Sequence, residues 1–394
     1  MLDNGASVDS IEPASDDEYD EEILEKKVTS YALLSTARDI LNTATEEFAP
    51  LTRLLVERGA SLYVPVNESQ TLIHWMLQYP KYDIVDTLML EPCVSRIDFN
   101  ARDQKGRTVL MAAANWTECL EGYGHLHWDA KVTGIPIRIL DTGRADAKLI
   151  DNDGKTVLHH MLENPDMEDE VVLQFLDREE VKPILFTKDN EGYSPLHSAL
   201  RVLRPEAVRR LLSKGADMLD PDRYGKTALH YIADQCLQTD RERRNQCRLS
   251  IDQPHDFFDQ CLSLWNSFRA SGGDINAQDK EGNPPLFFYL SSRFRSNGRS
   301  ETKCCHVEFM QSLFPNDTRV DLHAVNNEGE TALHVVAQRK KAHYTSQDHD
   351  SKLFEMLMKM GLDPLKEDKK GRSALDVASA CGNEEIVRLL SRSK

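Results

Sequence analysis

One thirteen-residue phrase, "DRYGKTALHYIAD" at positions 222–234, recurs along the chain. Near-copies are "DNDGKTVLHHML" from Asp151, "DNEGYSPLHSAL" from Asp189 and "NNEGETALHVVA" from Asn326. A length of 394 residues would otherwise suggest roughly two or three separate cores. The repeat overrules that prior, because a unit this short buries its apolar face only against its neighbours. Aligned on the Thr of "KTALH", eight positions correspond: Thr71, Thr108, Thr156, Ser194, Thr227, Pro284, Thr331 and Ser373. Their spacings are 37, 48, 38, 33, 57, 47 and 42 residues. The shortest defines the unit and the others read as that unit plus insertions.

Each unit follows one order of signals. A glycine stands two residues before the aligned position in seven of the eight units, from Gly106 to Gly371, and suits a tight turn with positive φ. Thr or Ser next is a good helix N-cap. Pro195 follows Ser194 at the first helical position, where its missing N–H costs nothing. Leu and Ala then recur at helical spacing. A second amphipathic helix follows in "IVDTLML", "VVLQFL", "AVRRLL", "FMQSLF", "LFEMLM" and "EIVRLL". Glycines in "SKGADM", "ASGGDI" and "KMGLDP" mark helix ends. The unit is therefore turn, short helix, turn, second helix, glycine and extended return.

With "SPLHSAL", "KTALHYIAD", "KTVLHHML", "ETALHVVA" and the second-helix ending "LLSKGADM", the chain resembles the ankyrin-repeat family over residues 28–394. The resemblance implies an all-α solenoid of stacked helix pairs, about eight recognisable units plus a degenerate N-terminal cap, with long inter-helix insertions. Upstream, "VTSYALLSTARDILN" and "FAPLTRLLVERGASL" read as that degenerate pair. Some units depart from the pattern. The first lacks the turn glycine, and the sixth has Pro284 for Thr and Phe287 for His. Met111 and Asp376 replace the histidine in the second and last units. Residues 1–27 read as an acidic leader around "IEPASDDEYDEEILE". The opening "MLDNGASVDS" also suits the remnant of an upstream repeat.

Charge and cysteine content narrow the functional classes. The net charge is 48 − 65 = −17, which gives no general help in binding nucleic-acid phosphates. No apolar run approaches the roughly 18 residues of a membrane helix, and no signal peptide opens the chain. Eight cysteines without a secretory context suggest reduced thiols in cytosol or nucleus.

The repeated His74, His159, His197, His230 and His334 invite a catalytic or metal reading. The resemblance implies a structural one, each ring bonded to a Thr hydroxyl or neighbouring backbone. Cys304, Cys305 and His306 are adjacent, a spacing that rarely ligates one zinc. His125 with His127, and Cys236, Cys247, His255 and Cys261, also lack zinc spacing. No nucleophile elbow, phosphate loop, kinase or His-Glu-x-x-His motif is present. No cofactor, metal site or catalytic residue is expected. Asn100 and Asn276 match the family's return-strand Asn, for which turn formation is the expected role. Ser15 precedes acidic residues and weakly resembles an acidophilic kinase site.

Two candidate surfaces remain. By the resemblance, partner contacts come from turn tips and first-helix ends: Lys105, Arg107, Asn115, Trp116, Tyr193, Arg201, Tyr224 and Asp234. Trp, Tyr and Arg are the usual interface anchors. Trp116 could instead be buried by its own long insertion. The second surface is a basic edge. Insertions in the fifth, sixth and seventh units carry Arg241, Arg243, Arg244, Arg248, Arg293, Arg295, Arg299, Lys303, Arg339, Lys340 and Lys341. Equivalent loops of a solenoid align along one edge, unless these are three independent solvated loops. The functional expectation is a scaffold or adaptor binding other proteins through the concave surface. The alternatives are a regulatory segment of a longer enzyme and a basic edge that takes acidic or phosphorylated segments.

Overall fold

The computed structural model describes Ser30, Ala32 and residues 48–78, 82–116, 134–235, 254–291, 320–339 and 349–392. The chain divides into two compact units, Met1–Asp98 and Phe99–Lys394. The acidic leader expected at residues 1–27 lies outside the described residues.

In the first unit, α1 (Phe48–Glu57) packs on α3 (Tyr82–Leu88), and α2 (Leu72–Gln78) follows the first turn. Val56 and Leu88 are fully buried. Arg96, in a 3₁₀ turn at Val94–Arg96, donates from Nη1 to the Val56 carbonyl at 2.6 Å. The same carbonyl accepts from the Gly59 N–H at 3.0 Å, so a cation adds a second donor at the C-terminus of α1. The turn without glycine closes through Asn67, whose Oδ1 accepts from the N–H groups of Ser69 and Gln70, both at 2.9 Å.

The second unit contains the better-preserved repeats. Its first helices are α4 (Val109–Ala114), α6 (Val157–Glu163), α8 (Pro195–Val202), α10 (Ala228–Gln235), α12 (Pro285–Ser291), α13 (Ala332–Ala337) and α15 (Ala374–Cys381). Each packs on the next in chain order. The second helices are α5 (Ile135–Asp141), α7 (Asp169–Leu176), α9 (Pro205–Ser213), α11 (Pro254–Ala270), α14 (His349–Lys359) and α16 (Glu384–Arg392). The "FMQSLF" helix lies outside the described residues. Every residue of α4 and α13 is buried. Sandwiched between neighbours, such a helix has no solvent face to keep polar. The fold is an all-α solenoid. Among the described residues, extended pairing is limited to isolated bridges at turn bases, such as Arg102 with Thr108 and Ile150 with Thr156.

Leu229 is fully buried in this stack, whereas Thr227 serves α10 at its N-terminus. Leu229→Ala should cost about 2–5 kcal/mol through lost transfer energy and a cavity. Thr227→Ala should cost about 0.5–2 kcal/mol through the lost cap. Equal, near-zero effects of both in chemical denaturation would contradict this register.

Candidate interaction surface

The turns of the second unit are fingers built by one device. Asp103, Asp151, Asp189, Asp222, Asp279 and Asp368 each turn Oδ1 onto the backbone N–H groups two and four residues ahead. For Asp189 these belong to Glu191 and Tyr193, both at 2.9 Å. Asn326 does the same in the seventh unit. The finger tips are then joined in series. The N–H groups of Asn152, Asn190, Arg223, Lys280, Asn327 and Lys369 donate to the carbonyls of Lys105, Asp153, Glu191, Tyr224, Glu281 and Glu328, at 2.8–3.2 Å. The turn glycine is required twice over. Gly192 has φ +78°, and a Cβ there would lie 2.7 Å from the Arg223 nitrogen of the next finger. A side chain would strain the turn and also push the next repeat away.

The histidines form the second set of joints. The Nδ1 atoms of His159, His197, His230 and His334 accept from the backbone N–H of their own capping Thr or Ser, at 3.0–3.2 Å. The proton therefore sits on Nε2. From there His159, His230 and His334 donate to the carbonyls of Tyr193, Asn283 and Arg372 in the following finger, at 3.0, 3.2 and 2.9 Å. Ser194 Oγ lies 2.8 Å from His197 Nδ1, the distance of a nucleophile and its base. Both residues are buried and the hydroxyl is the helix cap, so the pair is a joint of the stack. His74 makes the same contact with Thr71 at 2.7 Å.

Burial holds His159, His197 and His230 below the ordinary imidazole value. The unfolded chain then takes up protons first as pH falls through about 6.5. Stability is complete above that value and is lost below it, down to the folded-state values. The loss is bounded by about 1.4 kcal/mol per pH unit for each imidazole. Urea midpoints should therefore fall between pH 7.5 and 5.5. A flat profile across that range would contradict neutral, buried rings.

The expected contact residues divide into three groups. Lys105 and Tyr224 are exposed at finger tips, and Arg201 is exposed at the end of α8. The Arg201 guanidinium stacks over the Tyr193 ring at 5.1 Å from its centroid, and Nη1 reaches Glu163 at 3.1 Å. Tyr224 packs beside Tyr193, and its hydroxyl bonds Glu191. Tyr193, Arg201 and Tyr224 form one patch with Glu191 and Glu163, whereas Lys105 belongs to the finger two repeats before Tyr193. Asn115 and Asp234 are half-buried, and burial raises the Asp234 carboxyl above the usual carboxylate range.

Arg107 and Trp116 are corrections. Arg107 is buried and clamped to Asp103 at 2.7 Å, which fixes the finger from inside. Trp116 is 1% exposed. Of the basic edge, only Arg339 lies within the described residues, and it is buried in an ion pair with Asp350 at 3.0 Å. It contributes no charge to a solvent edge. Asn100 and Asn276 also act differently from the expectation. They accept from the N–H groups of Asp146 and Asp321, at 2.8 and 2.9 Å, and so tie one repeat to the next.

The sequence reading missed two structural residues. Arg204 is 1% exposed and donates to Asp169 and to the carbonyls of Leu162 and Asn164. Glu163 joins Lys155, Ser198 and Arg201 across two repeats. The finger residues had a legible signal, Asp three residues before six of the seven turn glycines and Asn326 before Gly329. Arg204 had none, because its partners come from the preceding repeat. Among the described residues no group of three His, Cys, Asp or Glu could hold a metal, and no helix is long and apolar enough to cross a membrane.

Stacked helix pairs joined by finger turns and histidine bridges define a helical-repeat solenoid. The family described as ankyrin repeats (3 copies) matches residues 126–222 and 300–394. The repeated unit is the ankyrin repeat, and the chain is an ankyrin-repeat protein. It is similar to human transient receptor potential cation channel subfamily A member 1, with 23% identity over 167 residues, 42% of this chain and 13% of that protein. It is also similar to phosphocholine transferase AnkX of Legionella pneumophila, with 25% identity over 212 residues, 50% of this chain and 21% of that protein. A 39-residue stretch, 10% of this chain and 2% of its relative, is 56% identical to human neurogenic locus notch homolog protein 4. The chain thus spans a small part of each of these relatives. Ankyrin repeats generally mediate protein–protein interaction.

Proposed function

We propose that the chain is an interaction scaffold or adaptor, without catalysis of its own, that binds partner proteins on the concave face formed by its fingers and first helices. The observation that carries this reading is the series of finger-to-finger hydrogen bonds. It holds successive tips in one row and presents Lys105, Tyr193, Arg201 and Tyr224 along it. Such pre-ordered side chains bind without a large ordering cost, and Tyr and Arg are common anchors. The family similarity supports the same reading, and thiol usage supports an intracellular setting. An ankyrin segment serving a longer protein is compatible with the relatives, which are much longer than the matched regions.

The test places a photo-crosslinking residue at Tyr224 and, separately, at Glu206 on the outer helix α9. Partners should be captured from Tyr224 and not from Glu206. Capture from Glu206 alone would place binding on the opposite face and overturn the reading.

A further inference from the structure

The histidine joints are interrupted in the sixth unit, where Phe287 occupies the histidine position and Pro284 the capping position. In three other seams, the carbonyl just before the next cap accepts two hydrogen bonds. The Tyr193 carbonyl, for example, takes the Asp189 N–H and His159 Nε2. The equivalent carbonyl of Glu330 accepts from the Asn326 N–H at 3.2 Å, and the phenylalanine beneath it has no proton to give.

At this seam a cavity of about 600 Å³ opens on the finger side of α12 and α13. Phe287, Phe288 and Val335 give it an apolar floor, and Glu281, Glu328 and Glu330 line it with carboxylates. Lys280 is the one cationic residue among its lining. Lys370 and Arg372 of the last unit engage Glu328 and Glu330, at 2.9 and 3.5 Å. The described partner of Glu281 is the Asn283 amide at 3.2 Å.

The chemistry that suits this cavity is already displayed by the chain's own side chains. The Lys226 ammonium sits 4.6 Å from the centre of the Phe288 ring, and Arg201 stacks on Tyr193 two units earlier. A cation gains from a ring face. Lysine and arginine are also pure donors, matched to a rim dominated by acceptors. Their aliphatic stems suit an apolar floor beneath a charged rim. The overall charge of −17 attracts the same sign of partner at longer range.

The geometry points to the cavity between the sixth and seventh units as the docking site for a lysine- or arginine-bearing segment of another protein, whose cationic head meets the exposed Glu281 and Glu328 and whose stem lies on Phe288. This rests on the concave-face reading above and deepens it. It also has the opposite sign to the basic edge expected from sequence, so acidic segments are disfavoured at this site.

The test uses the full chain and three fluorescent decapeptides alternating Leu with Arg, with Gln or with Glu, read by anisotropy at two salt concentrations. Each carries a terminal benzophenone for crosslink mapping. The Arg peptide should bind at least tenfold more tightly than the Glu peptide, and more weakly at higher salt. Glu281→Gln with Glu328→Gln, both exposed positions, should weaken it about tenfold, and Phe288→Ala several-fold. The control pair Glu179→Gln with Glu206→Gln removes the same charge from exposed sites elsewhere and should leave binding unchanged. Thermal melts establish that each variant folds. Equal weakening by the control pair would mean unspecific attraction and overturn the inference. Crosslinks on the fingers with indifference to peptide charge would overturn the inference while leaving the concave-face reading intact. Crosslinks confined to α9 and α11 would overturn both. Displacement of the Arg peptide by stoichiometric spermine would mean that a free polycation suffices, and would overturn the assignment to a protein segment.

Discussion

Replacing Trp116 by alanine will lower folding stability by about 3–5 kcal/mol, a cost typical of truncating a buried aromatic residue. The indole is 1% exposed and follows directly on α4. Around it the chain is bound from the next repeat, because Asn164 Nδ2 donates to the carbonyls of Ala114 and Trp116, at 3.1 and 3.0 Å. Removing the ring leaves a void beside this joint, and packed neighbours collapse only partly into such a space. The contrast is Tyr224, whose ring is 45% exposed. Tyr224→Ala should cost less than about 1 kcal/mol. Chemical denaturation of the two variants decides between core and surface for Trp116. A mild effect of Trp116→Ala, equal to that of Tyr224→Ala, would return it to the contact surface.

The second large effect is expected at Arg204. Arg204 stands in the chain between α8 and α9, and its buried guanidinium ties the carbonyls that end α6 to Asp169 at the start of α7. Removing one member of a buried, hydrogen-bonded charge pair typically costs about 3–5 kcal/mol. Arg204→Ala should fall in that range. Arg204→Met should recover part of it, since methionine restores the packing of the stem but none of the donors. Arg209 pairs with Glu206 on the surface of α9, and Arg209→Ala should cost no more than about 1 kcal/mol. The three variants are compared by urea denaturation. Similar small losses for Arg204→Ala and Arg209→Ala would show that Arg204 is not the clamp described.

The fold was legible because its signals are local. The glycine, the capping hydroxyl and the histidine three residues later all act within one turn, so the sequence spacing carries the geometry. Thr156 with His159 and Thr227 with His230 are examples. The second helices α3, α7, α9, α14 and α16 were legible from periodicity alone, whereas α5 was read as part of an insertion. Which side chains face solvent was less legible. Arg107 and Tyr224 each follow a finger aspartate, four and two residues on, yet one turns in to its aspartate and the other turns out. In neighbouring repeats the Oδ2 of that aspartate is taken by His160 or Tyr231, nine residues away. A finger arginine goes inward where the helix offers no such competitor, as at Arg107 and Arg372. Arg339 fails as an edge residue for a related reason: Asp350, the carboxylate that draws it in, lies across an insertion. The rest of the basic loops fall outside the described residues.

The central claim is that the repeated phrase builds one continuous row of fingers, whose joints are backbone hydrogen bonds between successive tips. Hydrogen–deuterium exchange measures those joints directly. The amides of Asn152, Asn190, Arg223, Lys280, Asn327 and Lys369 should exchange slowly, with protection comparable to the first-helix amides, despite lying at turn tips. Exchange at the rate of an unprotected turn at all six positions would contradict the stacked row, and with it the surface on which the proposed function depends.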